Sequence, residues 1–443
     1  MEDKKGLLEG FMLSGRAVKA TESAKMIRGI TRDMSQRAHA AVAEGKPVAY
    51  SFMGGPHGEI LRAMDIVPIW TENYAAICAA KRQADAFITK AETEGYPRNL
   101  CSYCTSILGI DATRKEIGAL PDSADGGLEK PTVMLGSGMM ICDPRYKAYQ
   151  AAQRYNDVPY HVIDWLWPPV TTPLAEVQDY YIKYMIEQLW DLVAFLERNT
   201  GHKMNWDRLS EIVDLSERTI QVWHEAFQFR KAIPAPMPAE DAMNTMVPGW
   251  FLLGTQESLD FFNNLYQELK DRVDKKIGVV PNEKYRLMWA AGLPPWYALA
   301  MFNYFEAMGA VTAIEITYHP PDPVEIPQHV KHPLERIAWR NFKQFSTMMG
   351  SADEGGRDPM VNRVLKMCDD YHIDGLLMHR AMTCRTVHVG EIHMANVLKE
   401  YTNRPILILE GDIIDMSAFD EAGAQVKIDN FMELLEATSH RNA

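Results

Sequence analysis

Three of the six cysteines in this chain stand where metal chemistry is possible. Cys101, Cys142 and Cys384 each follow an apolar run, and each begins a polar turn. In an α/β protein the loops at the carboxyl ends of the strands converge on one crevice, so cysteines far apart in sequence can meet there. Three thiolates leave a fourth metal position open, which is typical of a reactive site rather than a structural one. We therefore expect a metal centre with an open position.

Cys101 has a second thiol close by, in the sequence Cys101-Ser-Tyr-Cys104. This pair alone is compatible with half of a zinc site, with a dithiol redox pair or with coincidence, and no second Cys-x-x-Cys supplies the other half of a zinc site. No closely spaced run of cysteines of the bacterial ferredoxin kind occurs either, which leaves a cluster held by widely separated cysteines. Cys78 and Cys368 lie in helical runs, and we expect them to be buried core residues rather than disulfide partners.

Several familiar site motifs are absent from the sequence. There is no Gly-x-x-x-x-Gly-Lys-Ser/Thr loop for nucleotide phosphates and no Gly-x-Gly-x-x-Gly dinucleotide fingerprint. His388-x-x-Glu391-x-His393 resembles a zinc-protease helix only loosely, because its histidines are five residues apart and do not share a helix face. The chain is therefore not expected to bind ATP through a recognisable loop.

The composition is that of a globular protein with an acidic surface. With 443 residues the chain is long enough for two or three domains, and its net charge of −13 argues against a nucleic-acid or anionic-membrane partner. The most apolar stretch, 294–314, contains Asn303 and Glu306, so no membrane span is expected. The N-terminus, Met1-Glu-Asp-Lys-Lys, lacks an apolar signal core, and we expect a cytoplasmic protein.

Short apolar strands alternate with helical runs in two separate blocks of the chain. The predicted strands are 47–53, 66–69, 132–135, 161–163, 286–291, 312–316, 375–378 and 405–409. Such strands, separated by helices, indicate parallel sheets covered on both faces. The expected fold class is α/β, with two Rossmann-like or flavodoxin-like parallel-sheet domains facing a cleft. The predicted organisation is an N-terminal helical segment at 1–42, a first α/β domain at 43–170, a helical region at 171–276 and a second α/β domain at 277–443.

Several segments, taken in order, resemble one known family. They are Pro56-x-x-Glu59 followed by Ile60, Asp65-Ile-Val-Pro68, Leu100-Cys101-Ser-Tyr, Cys142-Asp143, Met378-His379 through Cys384-Arg385, and Arg404-Pro405 through Asp412 and Asp415. Together they are similar to the subunits of the 2-hydroxyacyl-CoA dehydratase and benzoyl-CoA reductase family, over about residues 47–436. The stretch from Asn99 to Gly109 is most similar to the larger cluster-bearing subunit of ATP-dependent benzoyl-CoA reductases.

The resemblance implies a [4Fe–4S] cluster held by Cys101, Cys142 and Cys384, with Cys104 as the alternative first ligand. It implies the iron–sulfur subunit of an oxidoreductase that takes electrons from ferredoxin and reduces an aromatic acyl-CoA to a cyclic dienoyl-CoA. The implied partners are a paralogous cluster-bearing subunit and a pair of ATP-hydrolysing activator subunits. Two alternatives stay open: a 2-hydroxyacyl-CoA dehydratase subunit, in which the electron is recycled, and a non-catalytic paralogue without an open iron site.

Protons must follow the electrons onto such a substrate, and two residues after the first predicted strand are candidates to supply them. His57 and Glu59 lie in the loop where a general acid would stand beside the crevice. Glu59 alternatively caps or pairs locally at the start of the following helix. We expect His379 to hydrogen-bond near the cluster, and Asp412 and Asp415 to organise the turn after the last strand.

Low-potential electron transfer also requires that water be kept away from the donor. An iron–sulfur cluster in an apolar crevice meets this need, since its potential depends on net charge, hydrogen bonds to sulfur and exposure. Tyr103 and the segment Trp165-Leu-Trp167 are candidates to shield such a crevice, although core packing is the simpler explanation of the two tryptophans.

Overall fold

The computed structural model describes residues 10–53, 55–137, 142–169, 172–349 and 358–439. Within these residues the chain forms two four-stranded parallel sheets, one in each half of the sequence, with helices packed around both. The predicted α/β class with two parallel-sheet domains is confirmed.

The first sheet has the strand order β2-β1-β3-β4, and all of its strands are parallel. Its strands are β1 (Val48–Ser51), β2 (Val67–Trp70), β3 (Val133–Ser137) and β4 (Tyr160–Ile163). The helices of this half are α1 (Glu22–Ala43), α2 (His57–Ala63), α3 (Thr71–Ala80), α4 (Ala84–Thr93), α5 (Ser102–Ile117) and α6 (Asp143–Asn156). All four residues of β1 and all five of β3 are buried, which explains why these strands are nearly continuous apolar runs.

The second sheet repeats this pattern with the strand order β6-β5-β7-β8. Its strands are β5 (Tyr285–Ala291), β6 (Ala310–Glu315), β7 (Gly375–Ala381) and β8 (Ile406–Gly411). The helices that accompany it are α11 (Ala300–Ala307), α12 (Pro333–Met349), α13 (Pro359–Asp370), α14 (Arg385–His388), α15 (Glu391–Tyr401) and α16 (Glu421–Ser439). In both sheets the strand that comes first in sequence is an inner strand. The second strand lies on one side of it, and the third and fourth strands lie on the other.

Helices of the middle region join the two halves. They are α7 (Leu174–Thr200), α8 (Trp206–Gln228), α9 (Ala239–Asn244) and α10 (Gln256–Asp274), with one turn of π-helix at Val247–Phe251. Helix α12, which comes from the second half of the sequence, packs against α7 and α8. None of the helices within the described ranges is long and apolar enough to cross a membrane.

The N-terminal helix is shorter than the sequence predicted. Helix α1 begins at Glu22, because Thr21 has an extended backbone and its side chain accepts the amide hydrogen of Ala24 as an N-cap. Residues 10–20 form turns and irregular chain, and residues 1–9 lie outside the described residues. Since α1 packs against β2, α9 and α10, it is joined to the first sheet and to the middle helices alike.

Candidate functional site

A cavity of about 240 Å³ lies at the carboxyl edges of both sheets. After each strand of the two sheets, the chain supplies at least one residue to the lining of this cavity. In strand order these residues are Met53, Glu72, Cys142, Trp165, Leu293, Tyr318, Cys384 and Ile413. Open α/β sheets bind their ligands in a crevice of this kind, so the cavity is the first candidate for a functional site.

The walls of the cavity are mostly apolar and rich in aromatic rings. The aromatic residues of the lining are Tyr103, Trp165, Trp250, Phe251, Tyr318 and Phe345. Aromatic side chains present large flat apolar surfaces that pack against other rings by edge or by face. Walls of this composition exclude water and suit a flat, apolar group.

Three thiols line the cavity, and each belongs to the residue directly before a helix. Cys101 precedes α5, Cys142 precedes α6 and Cys384 precedes α14. Cys101 and Cys384 are buried, and Cys142 is partly buried. Free amide hydrogens in the first turns of the longer helices α5 and α6 carry positive partial charge, which favours a thiolate at this position.

The thiols are close enough to influence one another's ionisation. The pKa of Cys384 is raised to about 12, chiefly by burial and also by the neighbouring Cys101 and Cys142 thiols. Burial also raises the pKa of Cys142 to about 11, against the opposing effect of Arg145. Thiols with pKa values this high are protonated at neutral pH in the protein. They lose their protons when a metal binds, because the metal replaces the proton.

Cys104 contacts Cys101 rather than the cavity. The two thiols form a hydrogen bond that holds the pKa of Cys101 below its ordinary value and the pKa of Cys104 well above it. Cys101 lines the cavity, whereas Cys104 is buried in the first turn of α5 and is not part of the lining. Cys101 is therefore the better placed of the two to bind a group in the cavity, with Cys104 as its hydrogen-bond donor.

A buried ion pair adds charge beside the thiols. Arg145 and Glu72 both line the cavity, and Nε and Nη2 of Arg145 donate to the two carboxylate oxygens of Glu72 at 3.0 Å each. Although burial opposes its charge, Glu72 and the Cys142 thiol raise the pKa of Arg145 above its ordinary value. Nη1 of Arg145 is buried and has no hydrogen-bond partner in the described part of the chain. The guanidinium thus stays charged and has one nitrogen free to stabilise an anionic group.

The three cavity thiols are donors of the kind that holds an iron–sulfur cluster. Among the described residues, no three His, Cys, Asp or Glu side chains stand close enough together to bind one ion. Sulfur ligands of a single tetrahedral ion crowd around it at about 2.3 Å. In a cubane cluster each thiolate binds a different iron, so the sulfurs stand farther apart. Three thiols around one apolar cavity, beside the Arg145 guanidinium, fit a cluster of this kind by donor type.

Hydrogen bonds connect the loops that carry Cys101 and Cys384, which come from different halves of the chain. The Thr383 hydroxyl donates to Oδ2 of Asp412 at 2.5 Å and accepts the Ser102 amide hydrogen at 3.1 Å. Asp412 also accepts the amide hydrogens of Thr383, Ile414 and Asp415, each at 3.1 Å. Asp412 therefore organises the turn after β8, as expected, and through Thr383 it holds the start of α5 as well.

A second connection runs from the segment before Cys101 to the same turn. Arg98 Nε and Nη2 donate to the two carboxylate oxygens of Asp415 at 2.6 and 2.9 Å. Arg98 also pairs with Glu92 and Asp85, and together these contacts raise its pKa above the ordinary value despite partial burial. A two-point guanidinium–carboxylate contact fixes orientation as well as distance. The loop of Cys101 is thus held to the loop of Cys384 through Thr383, and to the turn after β8 through Asp415.

A family model described as 2-hydroxyglutaryl-CoA dehydratase, D-component, matches residues 55–435 of the chain. The chain therefore belongs to the 2-hydroxyglutaryl-CoA dehydratase D-component family. This membership confirms the resemblance drawn from the separate sequence segments. The matched residues include all three cavity cysteines.

Relatives of known activity extend over most of the chain at low identity. The (R)-phenyllactyl-CoA dehydratase alpha subunit of Clostridium sporogenes is 23% identical, over 95% of this chain and 98% of its own. The (R)-2-hydroxyisocaproyl-CoA dehydratase alpha subunit of Clostridioides difficile is 24% identical, over 95% and 98%. A benzoyl-CoA reductase subunit of Thauera aromatica is 21% identical, over 88% and 89%. The relatives are thus subunits of enzymes that act on acyl-CoA, some as dehydratases and one as a reductase.

Against this family background, the structure places His57 outside the cavity lining. It is buried at the start of α2, with Nδ1 at 2.8 Å from the Ser51 hydroxyl and Nε2 without a partner among the described residues. Its pKa is lowered to about 3, chiefly by burial and further by His161 and Arg145. His57 is therefore neutral at neutral pH, and its part in proton transfer remains a prediction.

Glu59 is also absent from the cavity lining and forms a buried ion pair instead. Its Oε2 accepts a hydrogen bond from Nη2 of Arg340 on α12, and both side chains are 4% exposed or less. Oε1 of Glu59 and Nη1 of Arg340 have no partner in the described part of the chain. The pair ties α2 to α12 through a partner 281 residues away, so it is not the local cap or local pair of the alternative interpretation. A catalytic part for Glu59 remains a prediction.

His379 and the two candidate shielding tryptophans have different surroundings. His379 lies behind the cavity wall, with Nδ1 at 2.6 Å from the backbone oxygen of Leu293, and burial lowers its pKa to about 4. Trp165 lines the cavity. Trp167 instead packs on the rings of Phe342 and Phe345, at centroid distances of 4.9 and 4.4 Å. One tryptophan therefore shields the cavity, and the other belongs to the core of the first half.

Sequence reasoning missed most polar residues of the lining, among them Glu72, Arg145 and Tyr318. No sequence motif marks Glu72 or Arg145. They are 73 residues apart in sequence, and only the fold places them in contact. Tyr318 has a φ of +63°, in the left-handed region, which costs roughly 1–3 kcal/mol for a bulky residue. No residue type in its segment signals such a conformation.

Proposed function

We propose that this chain is the cluster-bearing subunit of a cytoplasmic enzyme that delivers low-potential electrons to an aromatic acyl-CoA. The observation that carries the proposal is that Cys101, Cys142 and Cys384, drawn from both halves of the chain, line one cavity with aromatic walls. The function also agrees with the acyl-CoA dehydratases and the reductase among the relatives.

Cys101, Cys142 and Cys384 would hold a [4Fe–4S] cluster, which when bound supplies single electrons at low potential. The other groups of the chain prepare its surroundings. Arg145 offsets negative charge at the thiols, and the Cys104 thiol donates a hydrogen bond to the Cys101 sulfur. Aromatic walls keep water out, which limits loss of electrons to protons of the solvent.

The first candidate reaction is the reductive dearomatisation of an aromatic acyl-CoA to a cyclic dienoyl-CoA, as in benzoyl-CoA reductase. Six aromatic residues in the lining suit a flat ring, and a benzoyl-CoA reductase subunit is among the relatives. In this function ferredoxin is the upstream donor. The chain would act with a paralogous cluster-bearing subunit and with separate ATP-hydrolysing activator subunits, since the sequence has no recognisable loop for ATP.

The second candidate reaction is dehydration of a 2-hydroxyacyl-CoA, in which the electron returns to the enzyme after each turnover. Its support is that the phenyllactyl-CoA and 2-hydroxyisocaproyl-CoA dehydratase subunits match nearly the full length of the chain. The name of the first of these relatives, phenyllactyl-CoA dehydratase, contains a phenyl group, and a phenyl ring would suit the same aromatic walls. A third possibility, a non-catalytic paralogue, requires that no cluster be bound.

Metal analysis tests the proposal first. Protein purified without oxygen is expected to contain about four irons and four acid-labile sulfides per chain, with an EPR signal of a reduced cubane that disappears in Cys142→Ala. Zinc, or no metal, in such material would leave only the non-catalytic paralogue.

Electron stoichiometry then separates the two reactions, with the partner and activator subunits present. A reductase consumes two electrons from the donor for each benzoyl-CoA converted to a diene. A dehydratase converts many molecules of phenyllactyl-CoA after one priming electron. The ratio of product, measured by mass spectrometry, to reductant consumed therefore distinguishes the reductase from the dehydratase.

A further inference from the structure

The strained backbone of Tyr318 is held in place by its neighbours. Its φ of +63° is disfavoured for a bulky side chain, and it lies in the turn directly after β6. Two hydrogen bonds fix this turn: the Ile316 amide donates to Trp289 O at 3.0 Å, and the Thr317 hydroxyl donates to Gly292 O at 2.8 Å. Strained residues that the surroundings hold in this way cluster at functional sites.

The hydroxyl of Tyr318 forms a pair with the hydroxyl of Tyr103, across the two halves of the chain. The two oxygens are 3.4 Å apart, and both residues line the cavity. The Trp296 indole N–H donates to the Tyr103 oxygen at 2.5 Å, and the Trp296 ring packs against that of Tyr318 with centroids 5.6 Å apart. The pair is therefore fixed by a hydrogen bond on one side and by ring packing on the other.

Counting hydrogens shows that this pair has one to spare. Tyr103 and Tyr318 carry two O–H hydrogens, and the bond between them uses one. The Trp296 N–H is a donor only, so it cannot accept the other. Among the described residues no further hydrogen-bond partner of either hydroxyl is present. One O–H hydrogen of the pair is thus left without an acceptor among the described residues, and both hydroxyl-bearing residues line the cavity.

Several other polar side chains of the lining already donate a hydrogen bond elsewhere, whereas Nη1 of Arg145 and Nδ1 of His319 have no hydrogen-bond partner among the described residues. Asn341, Gln344 and Arg363 each donate to backbone oxygens at 2.8 to 3.4 Å. Arg145 is directed at Glu72 through two of its three nitrogens. The tyrosine pair is an uncharged donor of fixed position in a wall that is mainly apolar.

We propose that the Tyr103–Tyr318 pair binds the thioester carbonyl oxygen of the acyl-CoA, with one tyrosine O–H donating the hydrogen bond. This assignment rests on the proposed function, because it takes the cavity to be the acyl site. A thioester that accepts an electron gains negative charge on its carbonyl oxygen. A fixed donor in a water-poor cavity stabilises that charge without reorganisation, and Trp296 strengthens the donor by hydrogen-bonding to the oxygen of Tyr103.

Two CoA ligands that differ only at the carbonyl provide the test. Benzoyl-CoA has the carbonyl oxygen, whereas S-benzyl-CoA is a thioether that lacks it. Binding of each is measured by calorimetry, without oxygen and without reductant, on the cluster-loaded protein with its partner subunit. Tyr318→Phe is expected to weaken benzoyl-CoA binding about fivefold and to leave S-benzyl-CoA binding unchanged. Turnover is expected to fall about 100-fold while KM rises no more than about fivefold, since the hydrogen bond strengthens as charge develops.

The matched control is Tyr304→Phe, because the Tyr304 hydroxyl donates to Asp429 at 2.9 Å and the residue is not part of the cavity lining. This control should bind both ligands like the wild type. Tyr103→Phe provides the same comparison if Tyr318→Phe does not fold, with iron content measured alongside because Tyr103 is next to Cys104.

The outcomes separate this assignment from the proposed function. An unchanged ratio of the two affinities in both variants would overturn the hydrogen bond while leaving the acyl site intact. Wild-type protein that binds neither ligand would overturn the acyl site itself, and the assignment with it. Isotope-edited infrared spectra give an independent reading: the carbonyl stretch of bound benzoyl-CoA should lie at lower frequency in the wild type than in Tyr318→Phe.

Discussion

Thr383→Val is the substitution that most directly tests how the loops of Cys101 and Cys384 are held together. Valine has nearly the shape of threonine but no hydroxyl, so the change removes hydrogen bonds with little change in packing. The Thr383 hydroxyl donates to Asp412 at 2.5 Å and accepts the buried Ser102 amide hydrogen at 3.1 Å. Both bonds are lost, together with the contact of 3.2 Å between the Thr383 and Ser102 hydroxyls, and the Ser102 amide is left without this acceptor.

The expected cost follows from these two bonds. A hydrogen bond to a charged carboxylate contributes about 1.5–3 kcal/mol, and a buried donor left unpaired costs about 1–3 kcal/mol. Asp412 keeps the Thr383 amide hydrogen as a donor, which moderates the loss. We therefore expect Thr383→Val to lower the free energy of unfolding by about 3 kcal/mol. Thr383→Ser retains the hydroxyl and loses one methyl group, so it should cost only about 1 kcal/mol.

Two assays follow the effect from stability to the site. Urea unfolding gives the difference in stability between Thr383→Val and Thr383→Ser. Release of iron to a chelator, measured without oxygen, should be faster in Thr383→Val, because the loops of Cys101 and Cys384 are then free to separate. Equal unfolding midpoints and equal iron release in the two variants would refute the reasoning, since they differ chiefly in the hydroxyl.

Three further predictions concern other residues of the site and its surroundings. Cys101→Ala should lose bound iron whereas Cys104→Ala retains it, and equal iron contents would contradict the choice between them. Arg340→Met leaves Glu59 charged and unpaired in a buried place, so we expect a loss of about 3–5 kcal/mol in urea unfolding, and a smaller loss when Glu59→Gln is added. Burial raises the pKa of Glu391 from 4.5 to about 7, so the folded protein keeps a proton that the unfolded chain has released. The resulting stability is present below pH 4.5 and is lost as the pH rises through 7, by up to about 3 kcal/mol. Glu391→Gln should flatten this slope between pH 5 and 8, and an unchanged slope would exclude Glu391 as its cause.

The sheets could be predicted from the sequence because their strands are buried on both faces. A strand such as β7 (Gly375–Ala381), with six of seven residues buried, has to be a short apolar run, and the sequence predicted it at 375–378. Parallel order then follows from the helices between the strands, and with it the meeting of the strand ends. That Cys101, Cys142 and Cys384 line one cavity is the consequence; that they bind iron remains a prediction.

The partners within the site could not be predicted, because they depend on contacts between distant segments. Nothing near Glu59 indicates that Arg340, 281 residues later, will neutralise it in the core. The placement of α12 against α7 and α8 decides that pairing, and the helix pattern of α12 alone does not reveal it. The same holds for the tyrosine pair, whose members are 215 residues apart.

The three cysteines of the cavity are tied together unequally, and this follows from where their loops originate. Cys101 and Cys384 lie in different halves, but the Ser102 amide donates to the Thr383 hydroxyl and so connects their loops. Arg98 also pairs with Asp415, in the turn after β8 whose Asp412 accepts from Thr383. The loop of Cys142 meets that of Cys384 through Asp143 and Arg385, an ion pair of 3.6 Å whose arginine is 72% exposed. Exposed pairs of this kind contribute little, at most about 1 kcal/mol. The position of Cys142 relative to the other two therefore depends more on the first sheet and α6, and on whatever the three thiols bind together, than on direct contacts between the loops.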